Sequence, residues 1–218
     1  MPMRTATLTL LVPIALAIAC CFNGCDDRGT TDSTSMSTSV DKVRVDVDAT
    51  QEQSDGAVAA LDRLQKAPAG TDLTALYKDF SASVDKADDS SRALKARASD
   101  MESRKEAYLA DWNQQLSSVN DPNLKEQGEA RSDEVRKSFD KALDAIHTAQ
   151  GKVDPLIADL NDIKKSLGYD LTAAGVSSIS KPVDTAHSQS SDADSALQDA
   201  RKELQKVSAT IDNQAPKA

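Results

Sequence analysis

Residues 73–119 read LTALYKDFSASVDKADDSSRALKARASDMESRKEAYLADWNQQLSSV and contain no glycine or proline. Alternating steps of four and three residues through this segment select one stripe, and eleven of its fourteen positions are apolar or alanine. The stripe consists of Leu73, Tyr77, Phe80, Val84, Ala87, Ser91, Leu94, Ala98, Met101, Lys105, Tyr108, Trp112, Gln115 and Val119. This spacing is typical of a coiled-coil seam. The segment is therefore predicted to be one long helix that buries its seam against partner helices.

Three other segments carry the same spacing. They predict long helices over residues 39–66, 122–167 and 182–212, with a short helix over 172–180. Residues 43–47 also alternate with a period of two, so a strand is the local alternative there. Thr71 is predicted to cap the second long helix, with Asp72 in its first turn. The third long helix is predicted to continue through Pro155 with a kink near residues 149–151.

The connection between the second and third long helices is short. Asn120 is predicted to take a left-handed conformation, Asp121 to cap the following helix, and Pro122 to occupy its first position. So short a connection turns the chain back antiparallel. In that register Trp112 is expected to lie near residues 128–132, where small side chains leave room for an indole.

The helix lengths predict an elongated, all-α, antiparallel coiled coil. The second and third long helices span about 46 residues each and the other two about 28 to 30, at 1.5 Å per residue. We therefore expect a four-helix section of about 40 Å, from which a two-helix hairpin of about 30 Å projects.

The composition excludes several classes of function. Aromatic residues make up 3% of the chain and charged residues 28%, which suits a narrow seam and not a wide globular core. The net charge is −9, and no dense cluster of lysine and arginine offsets it. Nucleic acids bind basic surfaces, so no nucleic-acid partner is expected. An acidic surface also disfavours lying flat on an anionic bilayer.

The N-terminus predicts export and a lipid anchor. Residues 1–19 have a short basic start and an uncharged, largely apolar stretch too short for a membrane-spanning helix, so they are predicted to be a signal peptide. Residues 16–20 read LAIAC, which resembles a bacterial lipobox, so Cys20 is the predicted lipidation site and Cys25 the alternative. Because all three cysteines precede residue 26, they cannot form disulfide bonds that crosslink the rest of the chain.

The predicted domain organisation follows from these segments. The signal peptide (1–19) is followed by a lipidated flexible tether (20–38), a helical coiled-coil domain (39–212) and a disordered tail (213–218). The expected location is the cell envelope of a bacterium, with the protein anchored to a membrane and facing the periplasm or the outside.

No group of residues predicts catalysis or a cofactor. Asp144 precedes His147 by three residues and Asp184 precedes His187 by three, but no Glu-x-x-His motif recurs as in metal-binding bundles. Nucleotide-binding and hydrolase motifs are absent. We therefore expect neither an enzyme nor a bound metal or cofactor. A periplasmic helical-bundle module that binds a small ligand or a metal is the alternative hypothesis.

Two aromatic residues are the candidates for docking a partner. Tyr108 and Trp112 lie on the predicted projecting hairpin, where two helices bury only part of a tryptophan, and packing in the seam is the alternative role. The expected partner is an envelope protein or a second copy of the chain. Lys105 is expected to extend its charge out of the seam or to set the register. Hydroxyl-bearing seam residues are expected to bond to their own helices.

One set of residues between 72 and 179 carries a resemblance to known proteins: Asp72, Leu73, Leu76, Tyr77, Asp111, Trp112, Asn120, Asp154, Pro155, Leu156, the run 160–167, Leu171, Ala173 and Ala174. With these residues, the region resembles a family of uncharacterised bacterial coiled-coil lipoproteins, the domain-of-unknown-function family number 2959. The resemblance implies an envelope lipoprotein with a helical body, and it implies no activity.

Overall fold

The computed structural model describes residues 28–212, with side chains from Ser33 onward. Five helices and no strand occupy this part of the chain. They are α1 (Arg28–Gln65), α2 (Leu73–Ser117), α3 (Pro122–Tyr169), α4 (Ala173–Ser178) and α5 (Ser180–Asp212). The all-α fold class and the short helix after residue 172 are confirmed. No helix within the described residues has an apolar stretch long enough to span a bilayer.

The four long helices are arranged as a square. α1 packs along α2 and α5, and α3 packs along the same two helices, whereas no Cα atom of α2 lies within 8 Å of one of α5. Each long helix therefore has two neighbours and buries one narrow face between them, as the seam spacing predicts. Two large aromatic side chains, Phe80 of α2 and Phe139 of α3, are fully buried among aliphatic residues.

The α2 seam follows the predicted positions from Phe80 to Lys105 and then shifts. Leu109 is the next buried residue, and Tyr108 is only partly buried. Two successive steps of four residues at this point rotate the buried face, as a stutter does in a coiled coil. The prediction that Tyr108 continues the seam is wrong, because the rotated face of α2 buries Leu109 in its place.

Helix α1 begins at Arg28, so the predicted flexible tether is wrong for residues 28–38. Ser33 and Met36 are buried, and they continue the spacing of the buried residues Val40 and Val43 without interruption. Small hydroxyl side chains can fill a narrow seam although they give it no apolar signal. Residues 20–27 of the predicted tether lie outside the described residues.

Polar contacts between the helices define the register, that is, which residues of neighbouring helices lie level with each other. Lys152 of α3 contacts Asp192 of α5 at 3.3 Å, so Asp212, twenty residues farther along α5, lies level with Ser132 of α3. Ser132 in turn contacts Asn113 of α2. The hairpin beyond α5 is therefore about 14 Å long, and the four-helix section, which contains the 33 residues of α5, is about 50 Å long at 1.5 Å per residue. The hairpin is half as long as predicted because α1 and α5 are longer.

The two ends of the rod differ. At the hairpin end the chain turns through residues 118–121 and α1 and α5 have their outer termini, whereas the turn end contains residues 66–72 and 170–179. Asp121 caps α3 by accepting hydrogen bonds from the N–H groups of Asn123 and Leu124, as predicted. The left-handed conformation expected at Asn120 does not occur, because no non-glycine residue from 28 to 212 has a positive φ.

At the turn end, Gly70 supplies the positive φ of 86° that the chain needs between α1 and α2. Asp72, not Thr71, caps α2, and its side chain accepts a hydrogen bond from the N–H of Thr74. Both residues favour this position, and the carboxylate also interacts favourably with the helix dipole. This corrects the predicted cap by one residue.

Helix α3 is continuous from Pro122 to Tyr169 and contains Pro155, so the prediction that it does not stop there is confirmed. The expected contact near Gly128 is made by a different residue. A Cβ at Gly128 would lie 2.3 Å from a terminal carbon of Leu116, one turn beyond Trp112. The shift of the α2 seam explains why Leu116 makes this contact, since it places Leu116 on the face toward α3.

Candidate functional site

The candidate docking residues Tyr108 and Trp112 form one aromatic pair. Their ring centroids are 5.7 Å apart and the rings are perpendicular. Both rings are partly buried against the core, so each keeps a surface open to solvent. Edge-to-face geometry fixes both rings at little cost in side-chain freedom. The pair can therefore serve both as packing and as a preformed contact for a partner.

Lys105 lies one turn before this pair and is the buried cation of the α2 seam. Its side chain is 7% exposed, and its Nζ lies 2.8 Å from Asp140 of α3 and 2.9 Å from Glu106. Burial disfavours the charged form, but the hydrogen bonds that the ammonium donates to these two carboxylates outweigh it and raise the pKa of Lys105 above its usual value. The ammonium does extend to the rim of the seam, and its partner on α3 fixes the register of the hairpin.

A ladder of charged residues joins α1 to α5. Three residues spaced by seven on α1 face three residues spaced by seven on α5: Asp48, Asp55 and Asp62 face Arg201, Asp194 and His187, in that order. The guanidinium of Arg201 hydrogen-bonds to Asp48, and Nε2 of His187 lies 2.7 Å from Oδ1 of Asp62. We call this set the α1–α5 ladder. Its outer rungs attract, and its central rung brings two carboxyl groups together.

The central rung is an unusual feature of this surface. Burial of Asp194, followed by the negative charge of Asp55, raises the pKa of Asp194 to about 6. Ser190 donates a hydrogen bond of 3.4 Å to Asp55 from the neighbouring turn. The Asp194 carboxyl therefore keeps its proton in mildly acid solution and becomes charged beside Asp55 as the pH rises through about 6.

Sequence reasoning missed the ladder. The spacing of seven between Asp48, Asp55 and Asp62 is visible in the sequence, and so is that of the three residues on α5. What the spacing does not show is that α1 and α5 are neighbours in this register. That depends on the arrangement of four helices, which no single seam specifies.

The small polar seam residues behave in different ways. Thr50 is fully buried and donates from Oγ1 to the carbonyl of Asp46 at 2.7 Å and to that of Ser90 at 3.2 Å, so it bonds to its own helix as predicted and also to α2. Ser54, which is 1% exposed, has no hydrogen-bond partner for its hydroxyl. Ser132 bonds across to Asn113 instead of along its helix. The predicted bonding to the own helix therefore holds for Thr50 but not for Ser54 or Ser132.

The two histidines lie apart and on different surfaces. His147 is exposed on α3, and His187 pairs with Asp62 of another helix and not with Asp184 of its own. Across residues 28–212 no three histidine, cysteine, aspartate or glutamate side chains are grouped so that they could hold a metal ion.

A groove lies at the turn end. Its volume is about 630 Å³, and it opens between the α1–α2 turn and α4, with Leu64, Leu73, Leu171 and Val176 among its lining residues. The lining carries one carboxylate, that of Asp72, which already caps α2. The groove therefore has a mixed polar and apolar lining and no convergent charged groups.

The predicted lipidation residues Cys20 and Cys25 lie outside the described residues, as do the signal peptide and residues 213–218. Their roles remain predictions from the sequence.

The family of this chain was identified by comparison with known proteins. The sequence profile of a family described as proteins of unknown function, DUF2959, matches residues 22–213. No curated protein and no solved structure matches the chain. The matched segment contains all five helices, the aromatic pair and the α1–α5 ladder. Because the match covers most of its length, the chain belongs to the DUF2959 family of proteins of unknown function.

Proposed function

We propose that this protein is an exported, lipid-anchored component of the bacterial envelope with a structural or protein-interaction role. The observation that carries the proposal is the lipobox-like sequence at residues 16–20, followed after only seven residues, 21–27, by a rod of helices that begins at Arg28. A lipidated cysteine at 20 would hold such a rod at a membrane surface by its acyl chains.

The anchor is tested by fractionation of cells that produce the full chain. We expect the protein in the membrane fraction, and we expect Cys20→Ser to release it or to leave it unprocessed. Cys25→Ser is the matched control, because it removes a neighbouring thiol and should leave the fractionation unchanged. Release by Cys25→Ser alone would move the anchor to Cys25, and retention of both variants as processed chains, without the signal peptide, would contradict a lipid anchor at either position.

The interaction role is supported by the aromatic pair. Tyr108 and Trp112 have partly exposed rings in fixed perpendicular geometry near the hairpin end, and aromatic side chains of this kind carry much of the energy of protein interfaces. The partner is an envelope protein or a second copy of the chain. This surface, and no reactive group, is what we expect a partner to recognise.

Crosslinking in intact cells tests this surface. A photoreactive side chain at Asn113, which is exposed next to Trp112, should give a defined adduct. Trp112→Ala should abolish the adduct, whereas Trp112→Phe should preserve it in part and Tyr169→Ala at the far end should have no effect. Adducts of equal yield in all variants would contradict docking through the aromatic pair. Circular dichroism of each purified variant controls for loss of fold.

A further inference from the structure

The described chain begins at the hairpin end of the rod. Thr34 of α1 shares a groove with Arg104 of α2, and Arg28 lies six residues farther toward the hairpin end. In this antiparallel register Arg28 is level with residues near 110 of α2, so the hairpin turn at 118–121 extends only about 14 Å beyond it, at 1.5 Å per residue. The chain that precedes α1 therefore joins the rod beside the hairpin.

The short connection limits where a lipid anchor can be. From Cys20 to Arg28 the eight residues 20–27 span at most about 28 Å even when fully extended. The turn end lies farther away, because α1 contains 38 residues and is about 57 Å long. An anchored rod therefore cannot stand with its turn end against the bilayer. The conclusion is the same for an anchor at Cys25, since the connection is then shorter.

Charge disfavours the remaining alternative, a rod lying flat. The chain has a net charge of −9, and anionic headgroups repel an acidic side surface. At the hairpin turn the contact is small. Leu124 is 59% exposed there, an apolar side chain beside the capping residue Asp121. A leucine at such a tip can enter the interfacial region of the bilayer at little cost, while the acyl chains supply the affinity.

We propose that the protein stands upright on its membrane, with the hairpin turn and Leu124 against the bilayer and the turn end farthest from it. This inference rests on the proposed lipid anchor. The partner of the hairpin end is then the bilayer that holds the acyl chains. The aromatic pair lies about 14 Å above the tip, within reach of membrane proteins or a neighbouring copy, at 1.5 Å per residue. Tyr169, which is 93% exposed, stands at the outer end.

Fluorescence energy transfer tests the orientation, because Trp112 is the single tryptophan of the chain. The full chain, extracted from membranes in detergent, is reconstituted into vesicles of phosphatidylethanolamine and phosphatidylglycerol that contain a dansyl-headgroup lipid. The matched variant combines Trp112→Phe with Tyr169→Trp and moves the probe to the turn end. Flotation with the vesicles is measured first, and circular dichroism confirms equal helix content.

We expect roughly tenfold stronger transfer from Trp112 than from the probe at position 169, because the two positions are about 55 Å apart along the rod at 1.5 Å per residue. Equal transfer from both probes, which a flat rod would give, overturns the proposal, and so does stronger transfer from position 169. If the protein does not float with the vesicles, both the proposed lipid anchor and the proposed orientation are contradicted. If the protein floats but transfer from Trp112 is not the stronger, the lipid anchor is retained and only the upright orientation is overturned.

Discussion

Nε2 of His187 lies 2.7 Å from Oδ1 of Asp62, which joins two helices whose contacting residues are 125 positions apart in the chain. Partial burial raises the pKa of Asp62, but the hydrogen bonds and charges of Lys66 and His187 outweigh it, so this pKa is lower than usual. Seven residues along each helix, the same ladder places Asp194 against Asp55. Attraction and repulsion therefore alternate along one helix contact.

The central rung makes the effect of Asp194→Asn depend on pH. Because its folded-state pKa is about 6 and its ordinary value is 3.8, Asp194 contributes stability that is fully present below pH 3.8 and is lost as the pH rises to about 6. Asp194→Asn keeps the shape without the charge. We expect the Asp194→Asn variant to be more stable than wild type by roughly 1 kcal/mol at pH 7.5, after allowance for solvent screening. At pH 4 we expect the two proteins to differ little in stability.

Urea unfolding at a series of pH values measures this difference. Asp199→Asn is the matched control, because Asp199 is exposed on the same helix and pairs with Lys202. A stability difference between Asp194→Asn and wild type that stays constant from pH 4 to pH 8 would contradict the raised pKa of Asp194.

Two glycines should respond to alanine in opposite directions. A Cβ at Gly151, within α3, would meet no atom within 4 Å, so Gly151→Ala should stabilise the protein by roughly 0.5–1 kcal/mol through helix propensity. A Cβ at Gly175, in α4, would lie 2.1 Å from the carbonyl oxygen of Asp170. Gly175→Ala should therefore cost about 1–3 kcal/mol, as overpacking does. Thermal unfolding measures both, and a stabilising Gly175→Ala would refute the close approach of α4 to the end of α3.

The buried hydroxyls give a second matched pair. Ser54 has no hydrogen-bond partner, so Ser54→Ala should raise the free energy of unfolding by about 1 kcal/mol, because a desolvated hydroxyl is removed. Thr50 has two acceptors, so Thr50→Val should lower the free energy of unfolding by about 1 kcal/mol. Denaturant midpoints at constant slope provide the measurement. Equal losses for both variants would show that the two hydroxyls are in equivalent surroundings.

Lys105 should be replaceable by a side chain of similar size. Its ammonium is held by Asp140 and Glu106 at the rim of the seam, so Lys105→Met removes a charge that is costly to bury and should change stability by less than about 1 kcal/mol. Asp140→Ala leaves that buried charge with one partner and should cost about 1–2 kcal/mol. If thermal unfolding shows Lys105→Met to be the more harmful change, the ion pair stabilises the hairpin more than this account allows.

Much of this fold could be predicted because a narrow seam leaves a direct record in the sequence. Positions such as Phe80, Val84 and Leu94 are apolar because each faces two neighbouring helices, and the spacing identifies them without knowledge of the neighbours. The cap at Asp121 was equally local, since it depends on its own side chain and the two N–H groups that follow.

The predictions that were wrong, and the contacts that were not predicted, concern features that depend on other helices. Ser33 is buried because α2 lies beside it, and nothing in a run of serine and threonine indicates that neighbour. The choice of Leu109 over Tyr108 depends on a shift of phase that α3 does not share. The contact of Asp55 with Asp194 required the relative placement of α1 and α5. These are properties of tertiary packing, which local spacing does not encode.

A lipid on Cys20 is proposed to hold the rod at its membrane, and both the location and the orientation of the rod depend on it. Intact-mass spectrometry of the full chain, purified from cell membranes, tests this directly. We predict a chain that begins at Cys20 and carries the added mass of a diacylglycerol group, with or without a third acyl chain. An unmodified chain of any length, recovered from the aqueous fraction, would contradict it.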